Sequence, residues 1–176
     1  MALTSKLIHY DPSWAKRYDE EAAHLTRLFS DHLVSIHHVG STSIPNIMAK
    51  PEIDILVVLD GVDHMEQYAE GMVTLGYDVR GEAPVKGWFY YSKNVNGRRT
   101  HKVHVCSVGH KTVWEKLMFK DYMRRNPTRA EEYGKLKVAL EAANKGGMAE
   151  YLEAKAPFIQ ETLHLAIEEG YEKLEK

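Results

Sequence analysis

A nearly unbroken aliphatic segment at residues 52–59, with the sequence EIDILVVL, constrains the fold of this chain more than any other feature. A short run of branched aliphatic residues is typical of a strand in the centre of a sheet. Asp60 and Gly61 supply the turn that ends it. The chain has 176 residues, a length that usually corresponds to one domain with a substantial core. We therefore predict a single domain over residues 1–176.

The remaining pattern alternates between helical and strand-like segments before it becomes helical to the end. Asn96 and Gly97 between two β-rich runs are typical of a hairpin turn. Pro157 predicts that the last helix is either kinked or divided into two shorter ones. The predicted elements are helices over 12–30 and 63–75, strands over 33–39, 52–59 and 77–80, a hairpin of 86–93 and 98–107, and three helices from residue 110 onward. The fold class is α+β, with helices flanking a mixed sheet of about four to six strands and a helical C-terminal third.

Charge and cysteine content argue against several functional classes. Lys and Arg number 23 and Asp and Glu number 25, so the chain lacks the basic excess of a general nucleic-acid binder. The basic residues 98–102 (RRTHK) are most simply the exposed start of a hairpin strand. A single cysteine, Cys106, fits a reducing compartment and is expected to be a small buried residue. No apolar run approaches the roughly 20 residues of a membrane span. The N-terminal segment also lacks a signal-peptide layout, so we expect a cytoplasmic protein without a membrane or nucleic-acid partner.

Two carboxylates stand at the start of the aliphatic strand. Alternate residues of a strand share a face, so Glu52 and Asp54 should point to the same side about 7 Å apart. Like charges at this spacing need a cation between them, and a divalent metal provides one. Magnesium is commonly held by one or two carboxylates together with substrate phosphates, and manganese suits the same oxygen ligands. The alternative is a solvated strand start with Glu52 at its edge.

A small-residue turn precedes this strand by ten residues. Glycine at position 40 allows a close backbone approach, and the Ser41 hydroxyl and successive backbone amides can bond phosphate oxygens. Together with the acid pair, this turn predicts phosphate chemistry. The candidate nucleotide-binding residues of this segment are Gly40, Ser41, Thr42, Ser43 and Lys50.

Polar residues interrupt the apolar stripes of the C-terminal helices. Lys137 lies one turn after Tyr133, and Lys155 lies one turn after Tyr151, so each lysine shares an inward face with a tyrosine. A buried ammonium needs a partner such as a carboxylate or a phosphate. Either these lysines line an anionic pocket, or they reach past the core edge or pair with Asp121 or another acid.

His104 is the histidine best placed to join the acid pair. It shares a strand face with Lys102 and Cys106, and it would face the same cleft as Asp54 if the two strands were neighbours. A sheet histidine whose hydrogen bonds are satisfied is the alternative. A dedicated zinc site is not expected, because no helix carries a His-x-x-x-His pair. The predicted catalytic residues are thus Glu52, Asp54 and His104, with Glu52 and Asp54 as metal ligands.

Several separated blocks resemble the GrpB-like family, which is assigned to the nucleotidyltransferase superfamily. The continuous blocks are residues 38–45 (HVGSTSIP), 49–51 (AKP), 53–57 (IDILV), 101–105 (HKVHV) and 117–124 (LMFKDYMR). The later matches are Glu132 and Tyr133 with Leu136 and Lys137, and Tyr151 with Lys155, Phe158 and Ile159. The resemblance implies a nucleotidyltransferase-like sheet with magnesium on Asp54 and Glu52 and nucleotide phosphates at Ser41. Two positions depart from the pattern. His104 stands where the superfamily has a third acid, and Glu52 stands where related proteins commonly have an apolar residue.

Two functions are compatible with these features. The first is a magnesium-dependent nucleotidyltransferase that binds a nucleoside triphosphate and an unknown small acceptor, with Lys137 and Lys155 at an anionic subsite. The second is a nucleotide- or coenzyme-binding regulatory module with reduced catalysis, since the third acid is missing and related domains occur fused to dephospho-coenzyme A kinase. Phosphate-ester chemistry with His104 as acid or base is a further alternative. The oligomeric state and the identity of the acceptor are not encoded in any motif.

Overall fold

In the computed structural model, which describes residues 6–171, helices flank a five-stranded mixed sheet. The strands are β1 (Leu33–Val39), β2 (Ile53–Leu59), β3 (Tyr77–Glu82), β4 (Trp88–Val95) and β5 (Arg98–Ser107). Their order is β1-β2-β5-β4-β3, with β2 and β5 parallel and the other neighbours antiparallel. The α+β prediction is confirmed. The ends of the predicted domain, 1–5 and 172–176, lie outside the described residues.

The aliphatic strand β2 is buried on both faces, as its composition predicts. One face carries Ile53, Ile55, Val57 and Leu59, which pack into a core with α1 (Ser13–Phe29) and α2 (Ala69–Thr74). The other face carries Leu56 and Val58, which pack against α3 (Lys111–Arg125). Asp54 belongs by alternation to this second face. The C-terminal helices therefore cover the side of the sheet that holds the acid.

Three helices make up the C-terminal third, as predicted: α3, α4 (Pro127–Ala143) and α5 (Met148–Glu168). Helix α5 runs through Pro157 as one element, so the alternative of two shorter helices is wrong. In the part of the chain that is described, no helix is both long and apolar enough to span a membrane.

Three elements have boundaries that differ from the predicted ones by two residues or more. The first hairpin strand, predicted over 86–93, is β4 and lies two residues later. The helix predicted over 63–75 begins as a 3-10 turn, Met65–Tyr68, and only then continues as α2. His64 makes no side-chain capping bond there, and a tight 3-10 turn is a common way for an uncapped helix start to satisfy its backbone. Strand β3 extends to Glu82 rather than Arg80, because it pairs with β4 along that length.

The hairpin prediction is confirmed and sets the position of the site. Asn96 and Gly97 both have positive φ, at 52° and 74°, as a two-residue hairpin turn requires. The hairpin places β5 beside β2 in parallel register, with Asp54 opposite Lys102. Residues that are almost fifty positions apart in sequence therefore meet on one face of the sheet.

Candidate active site

A cleft of about 750 Å³ lies between the sheet and the C-terminal helices. The turn after β1, strands β2, β4 and β5, and helices α3, α4 and α5 all contribute to its walls. Within the described residues its lining holds seven cationic side chains and four carboxylates, whereas the chain as a whole has a formal charge of −2. The cationic residues are Lys50, Arg80, Arg99, Lys102, Lys116, Lys137 and Lys155. The cleft is thus suited to an anionic ligand.

The cleft brings together nearly all of the residues that the sequence nominates. Its lining includes Gly40, Ser41, Thr42, Lys50, Glu52, Asp54, His104, Lys137 and Lys155. Ser43 is the exception: it is buried, and its hydroxyl donates to the carbonyl of Gly40 at 2.6 Å, so it supports the turn from within. The Thr42 hydroxyl donates to the carbonyl of Glu52, which ties the turn to the start of β2.

Position 40 needs a glycine, both for its backbone conformation and because the Asp54 carboxylate leaves no room for a side chain. Its φ is 71° and its ψ is −173°, a region that is almost exclusive to glycine. A Cβ atom at this position would lie 2.5 Å from Oδ2 of Asp54. The neighbour that a side chain here would meet is therefore the acid of β2.

The carboxylate pair has an internal cation. Lys102 Nζ lies 3.0 Å from Oδ1 of Asp54 and 3.4 Å from Oε2 of Glu52. Glu52 is only 3% exposed, so the alternative of a solvated strand start is wrong. The repulsion between the two acids is relieved by an ammonium from the neighbouring strand. The run 98–102 is accordingly exposed only at its beginning, because Lys102 at its end belongs to the cleft.

Neighbouring charges keep Asp54 and Lys102 ionised although both side chains are largely buried. Burial alone would raise the pKa of Asp54, but the Lys102 ammonium and the His104 ring outweigh it and hold the pKa well below its ordinary value. Burial alone would lower the pKa of Lys102, but the carboxylates of Asp54 and Glu52 outweigh it and raise the pKa. Both partners are therefore ionised at neutral pH.

His104 is neutral and is turned towards Asp54. Burial, assisted by the Lys116 ammonium, lowers the pKa of His104 to about 4. Its Nδ1 accepts a hydrogen bond from the Trp88 indole at 3.2 Å, so the neutral ring carries its proton on Nε2. Nε2 lies 3.5 Å from Oδ1 of Asp54, at the outer limit of a hydrogen bond. Within residues 6–171 the buried Nε2 has no hydrogen-bond partner that meets normal geometry. His104 therefore lies beside Asp54 without a firm hydrogen bond to it, and a catalytic role for it stays a prediction.

Lys137 and Lys155 lie near the tyrosines that precede them by one turn. The ammonium of Lys137 is 4.7 Å from the centre of the Tyr133 ring, and that of Lys155 is 5.3 Å from the Tyr151 ring. In the described part of the chain, neither lysine forms an ion pair with a carboxylate. Asp121, the alternative partner, is paired with Lys120 Nζ at 3.6 Å.

Burial is the main reason that both lysines titrate abnormally. It lowers the pKa of Lys137 to about 7, with a contribution from Lys155, and that of Lys155 to about 8, with a contribution from Lys102. The Lys137 ammonium donates to the Met48 carbonyl. Lys50 Nζ is buried with no hydrogen-bond partner within residues 6–171. An anion in the cleft would satisfy these groups.

Sequence reasoning did not nominate Lys102 or Lys116 as site residues. Strand alternation had placed Lys102 on the face of His104, and this signal was sufficient to find it. Lys116 on α3 has its ammonium 5.8 Å from the centre of the Trp88 ring, and its pKa is lowered by burial. Only the packing of α3 against the sheet brings it to the cleft.

The residues present do not fit a metal centre formed by the protein alone. No group of three His, Cys, Asp or Glu side chains able to hold a metal occurs in the described residues. Glu52 and Asp54 could supply two carboxylates to a magnesium ion that also binds substrate phosphates. In this arrangement, however, the Lys102 ammonium lies against both of them. Magnesium at this pair stays a prediction.

The fold is shared with a polymerase of known structure. The chain superposes on a crystal structure of the Cid1 poly(U) polymerase with MgGTP bound, with a TM-score of 0.55 and 14% identity. The match covers 84% of this chain and 50% of that one. At this identity the comparison establishes the shared fold and nothing about the reaction.

Closer similarity is found in two other comparisons. The chain is 37% identical to UPF0157 protein YqkA of Bacillus subtilis (strain 168) over 155 residues, which is 88% of this chain but only 45% of YqkA. It thus spans less than half the length of that relative. The crystal structure of the conserved protein GrpB from Enterococcus faecalis matches with a TM-score of 0.88 and 31% identity, over 95% of this chain and all of that one. Residues 4–165 also match the family described as GrpB protein. The chain therefore belongs to the GrpB family.

Proposed function

We propose that the cleft binds a nucleoside triphosphate and transfers its nucleotidyl group to a small acceptor. The observation that carries this proposal is the meeting, in one cleft, of the Gly40-Ser41 turn, the carboxylate pair of β2 and a set of buried lysines. Nucleotidyl transfer depends mainly on positioning and on the neutralisation of phosphate charge, and it needs no covalent nucleophile. A cationic cleft built on this fold is compatible with both requirements.

The residues have separable roles in this proposal. Lys50, Lys137 and Lys155 receive the phosphate oxygens, because these ammonium groups have no carboxylate ion-pair partner in the described structure. Ser41 orients the same phosphates by its hydroxyl and backbone amide. The acceptor oxygen attacks the α-phosphorus, the bond from that phosphorus to the bridging oxygen breaks, and pyrophosphate departs in line. The proton of the acceptor passes to water or to the departing pyrophosphate. Asp54, fixed by its neighbours, orients the acceptor rather than removing its proton, because a carboxylate with a strongly lowered pKa is a weak base.

A second candidate is a nucleotide- or coenzyme-binding regulatory module without turnover. It is favoured by His104, which stands at the position of the third acid and has a pKa of about 4. Both candidates predict ligand binding in the cleft, and they differ only in the product. Release of pyrophosphate from a bound nucleoside triphosphate distinguishes them.

The test is thermal unfolding with a panel of nucleoside triphosphates and coenzyme A precursors, each with magnesium and with EDTA. A ligand that binds only the folded protein stabilises it by about 2.7 kcal/mol at 100 times its dissociation constant. We expect at least one nucleotide to raise the melting temperature of the native protein. Asp54→Asn should abolish most of this rise, because the amide can no longer hold the Lys102 ammonium in place.

The matched control is Asp63→Asn, an exposed residue beyond the opposite end of β2. It should retain the full ligand-induced shift. A second variant, Lys155→Met, removes a proposed phosphate contact without disturbing the carboxylates and should also lose the shift. If no ligand raises the melting temperature of the native protein, or if both site variants respond like the control, the proposal is wrong.

A further inference from the structure

The carboxylate pair at the start of β2 is already bridged by an ammonium from the neighbouring strand, which offsets one of its two negative charges. Lys102 Nζ contacts both Asp54, at 3.0 Å, and Glu52, at 3.4 Å. The lysine side chain is itself only 24% exposed, so it is held against the acids by the surrounding protein. A divalent ion that bridged these two carboxylates would need to replace this ammonium.

Both oxygens of Asp54 have close protein neighbours. Oδ1 lies 3.0 Å from Lys102 Nζ and 3.5 Å from Nε2 of His104. Oδ2 lies against Gly40, where a Cβ atom would come within 2.5 Å of it. Asp54 is 16% exposed. Little of this carboxylate is free to take up a metal and its waters, because its polar edge is occupied by protein groups.

Charge around the pair opposes a metal as well. Lys116 lies close enough to interact with Asp54, and Arg99 lines the same cleft. A divalent cation placed at the carboxylates would be repelled by these groups in addition to Lys102. A phosphate, in contrast, would be attracted by all three.

We propose that Lys102 takes the place of a divalent metal at the carboxylate pair, so that the cleft holds its phosphate-bearing ligand by protein groups and without a metal ion. The first half of this inference is that Lys102 replaces the metal in the ligand-free protein, and it does not depend on any nucleotide. The second half is that the phosphate-bearing ligand binds without a metal, and it rests on the proposed function. Lys102 acts in both as a positioning residue, since it fixes Asp54 and Glu52 and presents a positive charge to the cleft.

Binding of Mn²⁺ to the ligand-free protein tests the first half directly. Free Mn²⁺ gives an electron paramagnetic resonance signal that decreases on binding. The native protein should leave this signal unchanged. Lys102→Met keeps the length of the side chain and removes its charge, so the two carboxylates should then bind Mn²⁺ at least about tenfold more tightly than in the native protein. Mn²⁺ should also raise the melting temperature of this variant and not that of the native protein.

Lys93→Met is the matched control. Lys93 is likewise a partly buried strand lysine in an ion pair, but it contacts the single carboxylate of Glu21 at 3.1 Å. Its removal should create no Mn²⁺ site, because one carboxylate is a poor ligand set. Adding Asp54→Asn to Lys102→Met should abolish the new site.

If Lys102→Met fails to fold, Mn²⁺ binding by the native protein still tests the inference. Mn²⁺ binding by the ligand-free native protein at the affinity expected of a dedicated site would overturn it. So would a folded Lys102→Met protein that binds Mn²⁺ no better than Lys93→Met does. Lys102→Arg, which retains the positive charge, should behave like the native protein.

Calorimetry tests the second half. It measures the affinity of the protein for the nucleotide that raises the melting temperature in the panel, once with EDTA and once with magnesium. We expect affinities in the two conditions to agree within about threefold, and a dependence on magnesium of tenfold or more would contradict the inference. The two proposals fail separately. If no nucleotide binds, the proposed function fails, whereas the Mn²⁺ result for Lys102→Met still decides whether the lysine replaces a metal.

Discussion

Gly40→Ala should destabilise the protein by about 2–4 kcal/mol and should abolish ligand-induced stabilisation. The backbone at Gly40 has a φ of 71° and a ψ of −173°, which a residue with a side chain adopts only with strain. The added Cβ atom would also lie 2.5 Å from Oδ2 of Asp54. Either the turn or the carboxylate must move, and both movements disturb the contacts of Asp54 with Lys102 and His104.

Gly109→Ala separates backbone strain from the collision with Asp54. Gly109 has a φ of 77°, but a Cβ atom there would meet nothing within 4 Å. It should therefore cost only about 1 kcal/mol, from the backbone alone. Chemical denaturation gives the two stabilities, and thermal shift gives the ligand response. If Gly40→Ala is no more destabilising than Gly109→Ala, and if it binds ligand normally, the close packing of Gly40 on Asp54 is not required.

Lys137→Met should stabilise the protein at neutral pH while it weakens ligand binding. Lys137 is 2% exposed, and no carboxylate in residues 6–171 is paired with its ammonium. Removing the buried amine removes a burial cost of a few kcal/mol, because each unit by which its pKa is lowered corresponds to about 1.4 kcal/mol. The substitution also loses the hydrogen bond to the Met48 carbonyl, worth about 1 kcal/mol, so the net gain should be about 1–3 kcal/mol. The same change removes a group that would hold a phosphate. A gain in stability coupled to a loss of affinity is typical of a binding residue rather than a structural one.

The pH dependence of stability provides an independent readout of this lysine. Its pKa is about 7 in the folded protein and about 10.4 when exposed, so unfolding takes up a proton between these values. The free energy of unfolding should therefore rise as the pH increases above about 7, by up to about 1.4 kcal/mol per pH unit. Lys155, with a pKa of about 8, adds a similar rise from that pH upward. Affinity for an anion should fall over the same range, because the lysines lose their charge.

Denaturation at several pH values between about 7 and 9 compares the native protein with two variants. In Lys137→Met the free energy of unfolding should rise less with pH than it does in the native protein. Lys135→Met, on the same helix but with an exposed lysine paired to Glu131, should keep the native slope. Equal slopes in all three proteins would mean that Lys137 titrates normally and that its ammonium is not buried at a cost in stability.

Local sequence patterns are sufficient to predict the secondary-structure elements and most of the site residues. The aliphatic run of β2 needs cover on both faces, and the Asn96-Gly97 turn pairs β4 with β5, because hydrophobic periodicity and turn chemistry act locally. Strand alternation placed Glu52 and Asp54 on one side. Helical periodicity identified Lys137 and Lys155 as polar residues on inward faces. Each of these predictions depends only on neighbours within a few positions of the chain.

The tertiary structure decided which groups meet. The parallel pairing of β2 with β5 places Lys102 opposite Asp54, and the packing of α3 on the same face adds Lys116. The sequence showed that the acid pair needed a cation and could not show that a lysine would provide it. Interactions between residues far apart in sequence depend on strand order and register, which long-range packing of the whole chain selects and no local pattern encodes.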